Sequence, residues 1–317
     1  DFHETSNISM SDFAQLKGRT DFTVLGIESS CDETAAAVVY GGRRLLSNII
    51  ASQIDIHKRF GGVVPEIASR NHTLALPGIV DEAVRAAGLT LRDIDAIAVT
   101  YGAGLIGALL VGVSSAKALS YALDIPLVKV NHIEAHIAAN YLEHDIEPPF
   151  VALVASGGHT SIVRVDGYNE HRLLAATTDD AIGEAFDKVA RLMGLDYPGG
   201  ASVDKLAAQG QPRIPLTKHK LIFSDGNVSY SGLKTAVVNY VHNARQKGEA
   251  IDIPDLCASF TVAAVDPLVE YAVASAVRAG ADKLVLAGGV AANTYLRRRL
   301  SERGAAAGLT IVYPSVG

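Results

Sequence analysis

Residues Phe150–Val165 read FVALVASGGHTSIVRV. A run of strand type, Phe150–Ser156, enters a double glycine, and a second strand, Thr160–Val165, follows at once. Two glycines let a backbone come close to a ligand, and the hydroxyls of Ser156 and Thr160 flank them. Alone, such a turn is a weak signal. It gains weight because the chain has the same plan earlier, at Phe22–Tyr40, FTVLGIESSCDETAAAVVY. There the strands Phe22–Glu28 and Ala35–Tyr40 flank the small polar turn Glu28–Thr34.

Each pair continues into a third strand. Gly41-Gly42 turns the first pair into Arg44–Ala51, and Arg172–Ala176 completes the second. Helix and strand then alternate in both halves. In the first, the pattern predicts helix Pro65–Ala87, strand Ala96–Thr100, helix Leu105–Leu123, strand Leu127–Val130 and helix His132–Glu143. In the second it predicts helices Asp180–Met193, Tyr230–Gln246 and Ile253–Ala279, strand Lys283–Ala287, helix Asn293–Ala307 and strand Leu309–Val312. A unit used twice in this way implies an α/β protein of two similar lobes about a cleft. The expected boundaries are a polar extension over 1–20, a first lobe over 21–145 and a second over 146–317. The polar stretch Glu143–Pro149 divides the lobes, and Gly194–Gly232, with little periodicity, reads as an insertion.

Composition narrows the function. The chain has 317 residues, 49% hydrophobic and 20% charged, which excludes a disordered protein. A net charge of −6 excludes binding nucleic acid over the whole surface, so any such contact uses a local patch or a partner. Two cysteines exclude a disulfide framework and a cysteine zinc cluster. The long uncharged run Ala96–Ala116 breaks at Tyr101–Gly104, so it reads as strand plus helix rather than a membrane span. The polar N-terminus has no apolar signal core, Met10 could be a start, and a cytoplasmic protein is expected.

Several stretches could carry chemistry. Glu28–Thr34 offers backbone N–H groups to an anion, and Asp32 and Glu33 could take an accompanying cation; an ordinary polar hairpin is the alternative. Leu284–Asn293 runs a buried strand into Gly288-Gly289 and then a helix. An adenine or ribose could pack on that bare backbone, or Asn293 simply caps the helix. The three turns together suggest a nucleotide cleft of the actin, hexokinase and Hsp70 class, and nothing matches a P-loop. His132 and His136, at i and i+4, lie about 40° apart on one helical face. That makes them half a metal site or a pair of solvated histidines. The intervening Glu134 sits roughly 200° from His132, on the wrong face for a zinc protease. Asp187 sits in a core-patterned helix, and Asp204 follows Gly200; each is a ligand for hydroxyls or a surface charge. Arg297–Arg299 is the densest positive run and a weak pointer to RNA.

These stretches together resemble one family, the bacterial-type tRNA N6-adenosine threonylcarbamoyltransferases. The matching pieces are GIESSCDETAAAVV from Gly26, GGVVPEIASR from Gly61, GLIGALLVGVS from Gly104 and NHIEAH from Asn131. SGGHT from Ser156, GEAFDKVARLMGLDYPGG from Gly183, SGLKTAV from Ser231 and AGGVAAN from Ala287 complete the set. The resemblance covers the chain from about Val24 onward.

The resemblance implies an ASKHA fold, two duplicated RNase H-like lobes around a nucleotide cleft. It implies transfer of threonylcarbamoyl from threonylcarbamoyl-AMP to N6 of the adenosine 3′ of the anticodon. It assigns Val154, Ala155, Ser156, Gly157, Gly158, Asp187, Gly200 and Asn293 to substrate or nucleotide, with Asp204 on the same wall. It assigns His132 and His136 to a divalent iron or zinc. The family's third metal ligand, an aspartate in a C-terminal C-T-D-N-A stretch, lies beyond Gly317, so poor metal binding is expected of this chain. Ala103 replaces the proline usual in the turn before GLIGALL. Expected partners are tRNA, an inactive ASKHA paralogue, a small P-loop ATPase and a synthase supplying the adenylate. The competing readings are an ASKHA kinase or ATPase of small molecules and a non-catalytic ASKHA scaffold.

Overall fold

The computed structural model describes residues 18–216, 221 and 227–315. The expected extension over 1–20 and insertion over 194–232 therefore lie partly outside the described residues. The chain forms two compact units, Asp1–Ala135 and His136–Gly317.

The first unit opens with β1 (Thr23–Glu28), β2 (Glu33–Tyr40) and β3 (Arg44–Ser52). Then come α1 (Ile54–Lys58), α2 (Pro65–Ala86), β4 (Ala96–Gly102), α3 (Ile106–Leu123) and β5 (Leu127–Asn131). The sheet order is β3-β2-β1-β4-β5. The hairpin pairs are antiparallel, while β1–β4 and β4–β5 are parallel. Burial alternates along β1 and β2, as expected of strands with one face on a core. Leu25, Ile27, Val38, Leu76 and Ile97 fill that core.

Helix α3 buries Ala108, Gly112, Ala116 and Ser120, every fourth residue. Small side chains on this stripe bring the helix close to the sheet; a Cβ on Gly112 would lie 2.3 Å from Ser29 Oγ. Its other faces leave Ile106, Leu110 and Tyr121 exposed. The strand-plus-helix reading of Ala96–Ala116 holds, since β4 ends at Gly102 and the helix starts at Ile106. Two helices, Ile106–Leu123 and Ile253–Arg278, are long and apolar enough to cross a membrane by length and composition, and most of the second is buried core.

The second unit repeats the plan. β6 (Phe150–Ala155), β7 (Thr160–Gly167), β8 (Glu170–Ala176), β9 (Lys283–Ala287) and β10 (Thr310–Val312) form a sheet in the order β10-β9-β6-β7-β8. The pairings match those of the first sheet, strand for strand. Every residue of β6 is buried, because this central strand is covered on both faces. The helices α6 (Ile182–Leu192), α7 (Gly199–Ala207), α8 (Ser231–Lys247), α9 (Ile253–Arg278) and α10 (Thr294–Ala306) complete the unit. Asp252 accepts the N–H of Asp255 to cap α9.

The structure differs from the sequence reading in three places. The expected helix His132–Glu143 is two helices, α4 (His132–Ala138) and α5 (Asn140–Glu143). The division between units falls inside α4 rather than at Glu143–Pro149, because Ile137 and Asn140 are buried and Asn140 Nδ2 donates to Leu286 O of the second unit at 3.4 Å. Helix α7 occupies part of the stretch expected to be irregular. Its Gly-Gly start hides a helix from pattern reading, and contact with α6 and α9 stabilises it.

Candidate active site

The SGGHT turn is a tight hairpin. Ser156 N–H donates to His159 O at 2.8 Å, and His159 N–H donates to Ser156 Oγ at 3.1 Å. The Ser156 amide is thus committed to its own hairpin. Among the described residues, no hydrogen bond uses the N–H of Gly157 or Gly158. Both glycines are exposed, neither has positive φ, and a Cβ on either would meet nothing within 4 Å. The isolated chain has no conformational or steric need for glycine here.

Helix α6 begins against this turn. Gly183 N–H donates to Ser156 O at 3.2 Å, and Ile182 N–H donates to the Thr160 hydroxyl at 2.8 Å. A Cβ on Gly183 would lie 2.7 Å from Ser156 O. Gly288, with φ 91°, closes in from β9, where a Cβ would lie 2.4 Å from Ala155 O. One turn along α6, Asp187 Oδ1 accepts the Gly199 N–H at 2.7 Å and fixes the start of α7 beside Gly200. On α7, the Asp204 carboxylate takes both the N–H of Thr294 at 3.1 Å and its hydroxyl at 3.0 Å. Asn293 then caps α10 through Oδ1, which accepts Leu296 N–H at 2.8 Å and leaves its amide nitrogen as a donor. Val154 and Ala155, both fully buried, form the floor.

A continuous chain of contacts therefore joins every second-unit residue assigned to substrate. Several helix starts meet in it, a setting that favours an anion. Asp204 and Asn293 are used by the fold as helix anchors. Sequence reading named Thr160 and Gly288 as turn residues but missed Gly183 as a builder of the site; its role depends on a Cβ distance of 2.7 Å to Ser156 O, in a distant segment.

Arg297–Arg299 is largely committed to the fold. Arg297 donates to Ala291 O, bonds Pro314 O at 2.8 Å and lies over the Tyr313 ring. Arg299 pairs with Asp266 at 2.9 Å and with Glu302 at 3.1 Å. Only Arg298 is mainly exposed. Two of its three arginines are thus engaged within the fold.

In the first unit, His132 starts α4 beside the Glu28–Thr34 turn. Its Nδ1 lies 3.1 Å from Ser30 Oγ and 3.4 Å from Glu28 Oε2. Glu28 also accepts Ser30 N–H at 2.5 Å and the Thr100 hydroxyl. Burial disfavours the Glu28 carboxylate, but these hydrogen bonds outweigh it and hold the carboxyl down at about 2. The anion can only accept, so Nδ1 carries the proton and the lone pair sits on Nε2, the nitrogen through which such an imidazole would bind a metal. His136 follows on the same helix. Among the described residues, however, no group of three or more His, Cys, Asp or Glu is arranged to hold a metal ion. The two imidazoles suit a metal, but the described donor set is incomplete.

Two sheets of identical strand order, each carrying its turn at the end of the first strand, define a protein of the ASKHA class. Solved structures agree on the fold. HypF from T. kodakarensis matches with a TM-score of 0.64 at 14% identity, over 92% of this chain and 45% of that one. Component A of the Acidaminococcus fermentans (R)-2-hydroxyglutaryl-CoA dehydratase matches with a TM-score of 0.56 at 15% identity, over 93% and 92%. Residues 44–316 match the tRNA N6-adenosine threonylcarbamoyltransferase family, and the chain belongs to it. The family's enzyme from Clostridium perfringens SM101 is 54% identical over 295 residues, 92% of this chain and 87% of its own length. That of Bacillus subtilis 168 is 54% identical over 300 residues, covering 94% and 87%.

Proposed function

We propose that this chain transfers the threonylcarbamoyl group of threonylcarbamoyl-AMP to N6 of the adenosine 3′ of the anticodon, releasing AMP. The observation that carries this reading is the Gly157–Gly158 pair: two exposed amides on a backbone that has no glycine requirement of its own. The adenylate phosphate is held by these two amides, and the helix starts at Gly183 and Gly199 favour its charge. Asn293 offers its amide nitrogen to the nucleotide.

The N6 amine attacks the carbamoyl carbon of the mixed anhydride. A C–N bond forms, the C–O bond to phosphate breaks, AMP departs with the electron pair, and the amine loses a proton. Amides that hold the phosphate in the ground state also stabilise the charge that builds on the leaving group. No acyl-enzyme is required. A divalent iron or zinc on His132 and His136, completed by a third ligand, would supply Lewis-acid orientation of the acyl group. The assignment to this family disfavours the kinase and scaffold readings.

Partner subunits are part of the proposal. The net charge of −6 is unfavourable for a long tRNA footprint, so tRNA binding is shared with the inactive paralogue and the P-loop ATPase. The exposed apolar side chains Leu74, Ile106, Leu110 and Tyr121 support a protein partner on the α2–α3 surface. The test is reconstitution with these partners, the adenylate and unmodified tRNA, reading threonylcarbamoyladenosine by mass spectrometry. Absence of product with all components folded removes the reading.

A further inference from the structure

Two histidines of the first unit are fully buried and lie outside the site just described, His57 on α1 and His72 on α2. A buried imidazole needs a partner at each nitrogen, and the partners dictate where the proton sits. The Cys31 carbonyl can only accept, so His72 Nε2–H donates to it at 2.9 Å. His72 Nδ1 is then the acceptor, and the Thr34 hydroxyl donates to it at 2.7 Å. The Val64 N–H can only donate, so His57 Nδ1 accepts it at 3.3 Å, and His57 Nε2–H donates to Gln53 Oε1 at 3.2 Å. Gln53 Nε2 lies 3.4 Å from Ala68 O and 3.5 Å from His72 Nδ1, joining the two halves. This arrangement selects the Nε2–H tautomer for both imidazoles.

The ends of this relay are two stretches that the proposed reaction leaves unused, Cys31–Thr34 and Gly61–Arg70. His72 holds Cys31 and Thr34, the two shoulders of the turn, and Asp32 and Glu33 stand between them. Gln53 N–H adds a third brace, to Asp32 O at 3.0 Å. The neighbouring Ser30 reaches His132, so the braced turn belongs to the His132 end of the site.

We propose that His72 is a positioning residue for the transfer reaction, holding Asp32 and Glu33 in register with His132, with Gln53 and His57 as its support. The proposal rests on the function proposed above, and its test separates the two. Wild-type chain in the reconstituted system reports on the function itself. Against that control, His72→Leu removes both grips on the turn while keeping an apolar core residue. Its kcat should fall roughly 10- to 100-fold, since a small displacement of reacting groups costs that much. The KM for the adenylate and the AMP affinity by calorimetry should stay near wild type, because Gly157 and Gly158 belong to the other unit. His72→Gln, which can still donate and accept, should recover much of the loss.

Nitrogen-15 spectra of the wild-type imidazoles should show the neutral Nε2–H form for His57 and His72 at pH 7. A folded His72→Leu chain with wild-type kcat would overturn the proposal, and so would a His72 proton on Nδ1. If His72→Leu fails to fold, Thr34→Val removes one grip only. Unchanged kcat in folded Thr34→Val, or a His72 proton on Nδ1, would then overturn the proposal.

Discussion

Gly183 donates its N–H to Ser156 O at 3.2 Å, and a β-carbon on Gly183 would lie 2.7 Å from that same oxygen. The start of α6 and the SGGHT turn are thus in backbone contact, with no room for a side chain. Gly183→Ala must push the helix off the turn. We expect a loss of about 1–3 kcal/mol in denaturant unfolding, the usual cost of overpacking, together with weaker AMP binding.

Gly158 is the counterpart, with open space around it. Gly158→Val should leave unfolding within about 1 kcal/mol of wild type. The same change should weaken AMP or ATP binding at least tenfold, about 1.4 kcal/mol, in calorimetry. Unchanged affinity in a folded variant would move the phosphate elsewhere.

Glu28 makes the first unit sensitive to acid. Its folded carboxyl sits at about 2, below the ordinary value of 4.5. A depressed carboxylate stabilises the fold above the unfolded pKa, and that stability is lost as pH falls through the folded one. On the order of 3 kcal/mol should therefore disappear between about pH 4.5 and 2. Urea unfolding across that window should show a shallower pH slope in Glu28→Gln than in wild type.

His132→Ala or His136→Ala should abolish threonylcarbamoyladenosine formation in the reconstituted system. AMP binding should remain, since the phosphate turn is built from other segments. Metal analysis should find less metal in either alanine variant than in wild type, because losing one protein ligand weakens the site. Full activity in the double-alanine variant would leave the pair as a solvated helix face.

Arg299 tests the reassignment of the arginine run. It bridges Asp266 and Glu302, so Arg299→Gln should cost about 1 kcal/mol of stability. It should leave the salt dependence of tRNA binding to the assembled system unchanged. A reduced salt slope would return this residue to the RNA-facing surface.

The duplication was legible in the sequence because strand pattern and turn residues are local. FTVLGIE and FVALVAS, each followed by a small polar turn and a third strand, suffice to predict two sheets of one topology. Glycine pairs, the i, i+4 histidines and the long motifs also lie within short windows, so the family and its candidate residues could be read directly. Glycine at 157 and 158 is a sequence fact, but that no fold contact requires it there is a fact of three dimensions. Only the tertiary structure decided that the Ser156 amide is spent on its own hairpin, that Asp204 grips Thr294 and that Arg297 clamps Ala291 O. It alone set His72 between Cys31 and Thr34. Each of these is a hydrogen bond between partners whose separation in sequence carries no periodic signal, and its direction follows from donor and acceptor chemistry once the backbone has brought them together.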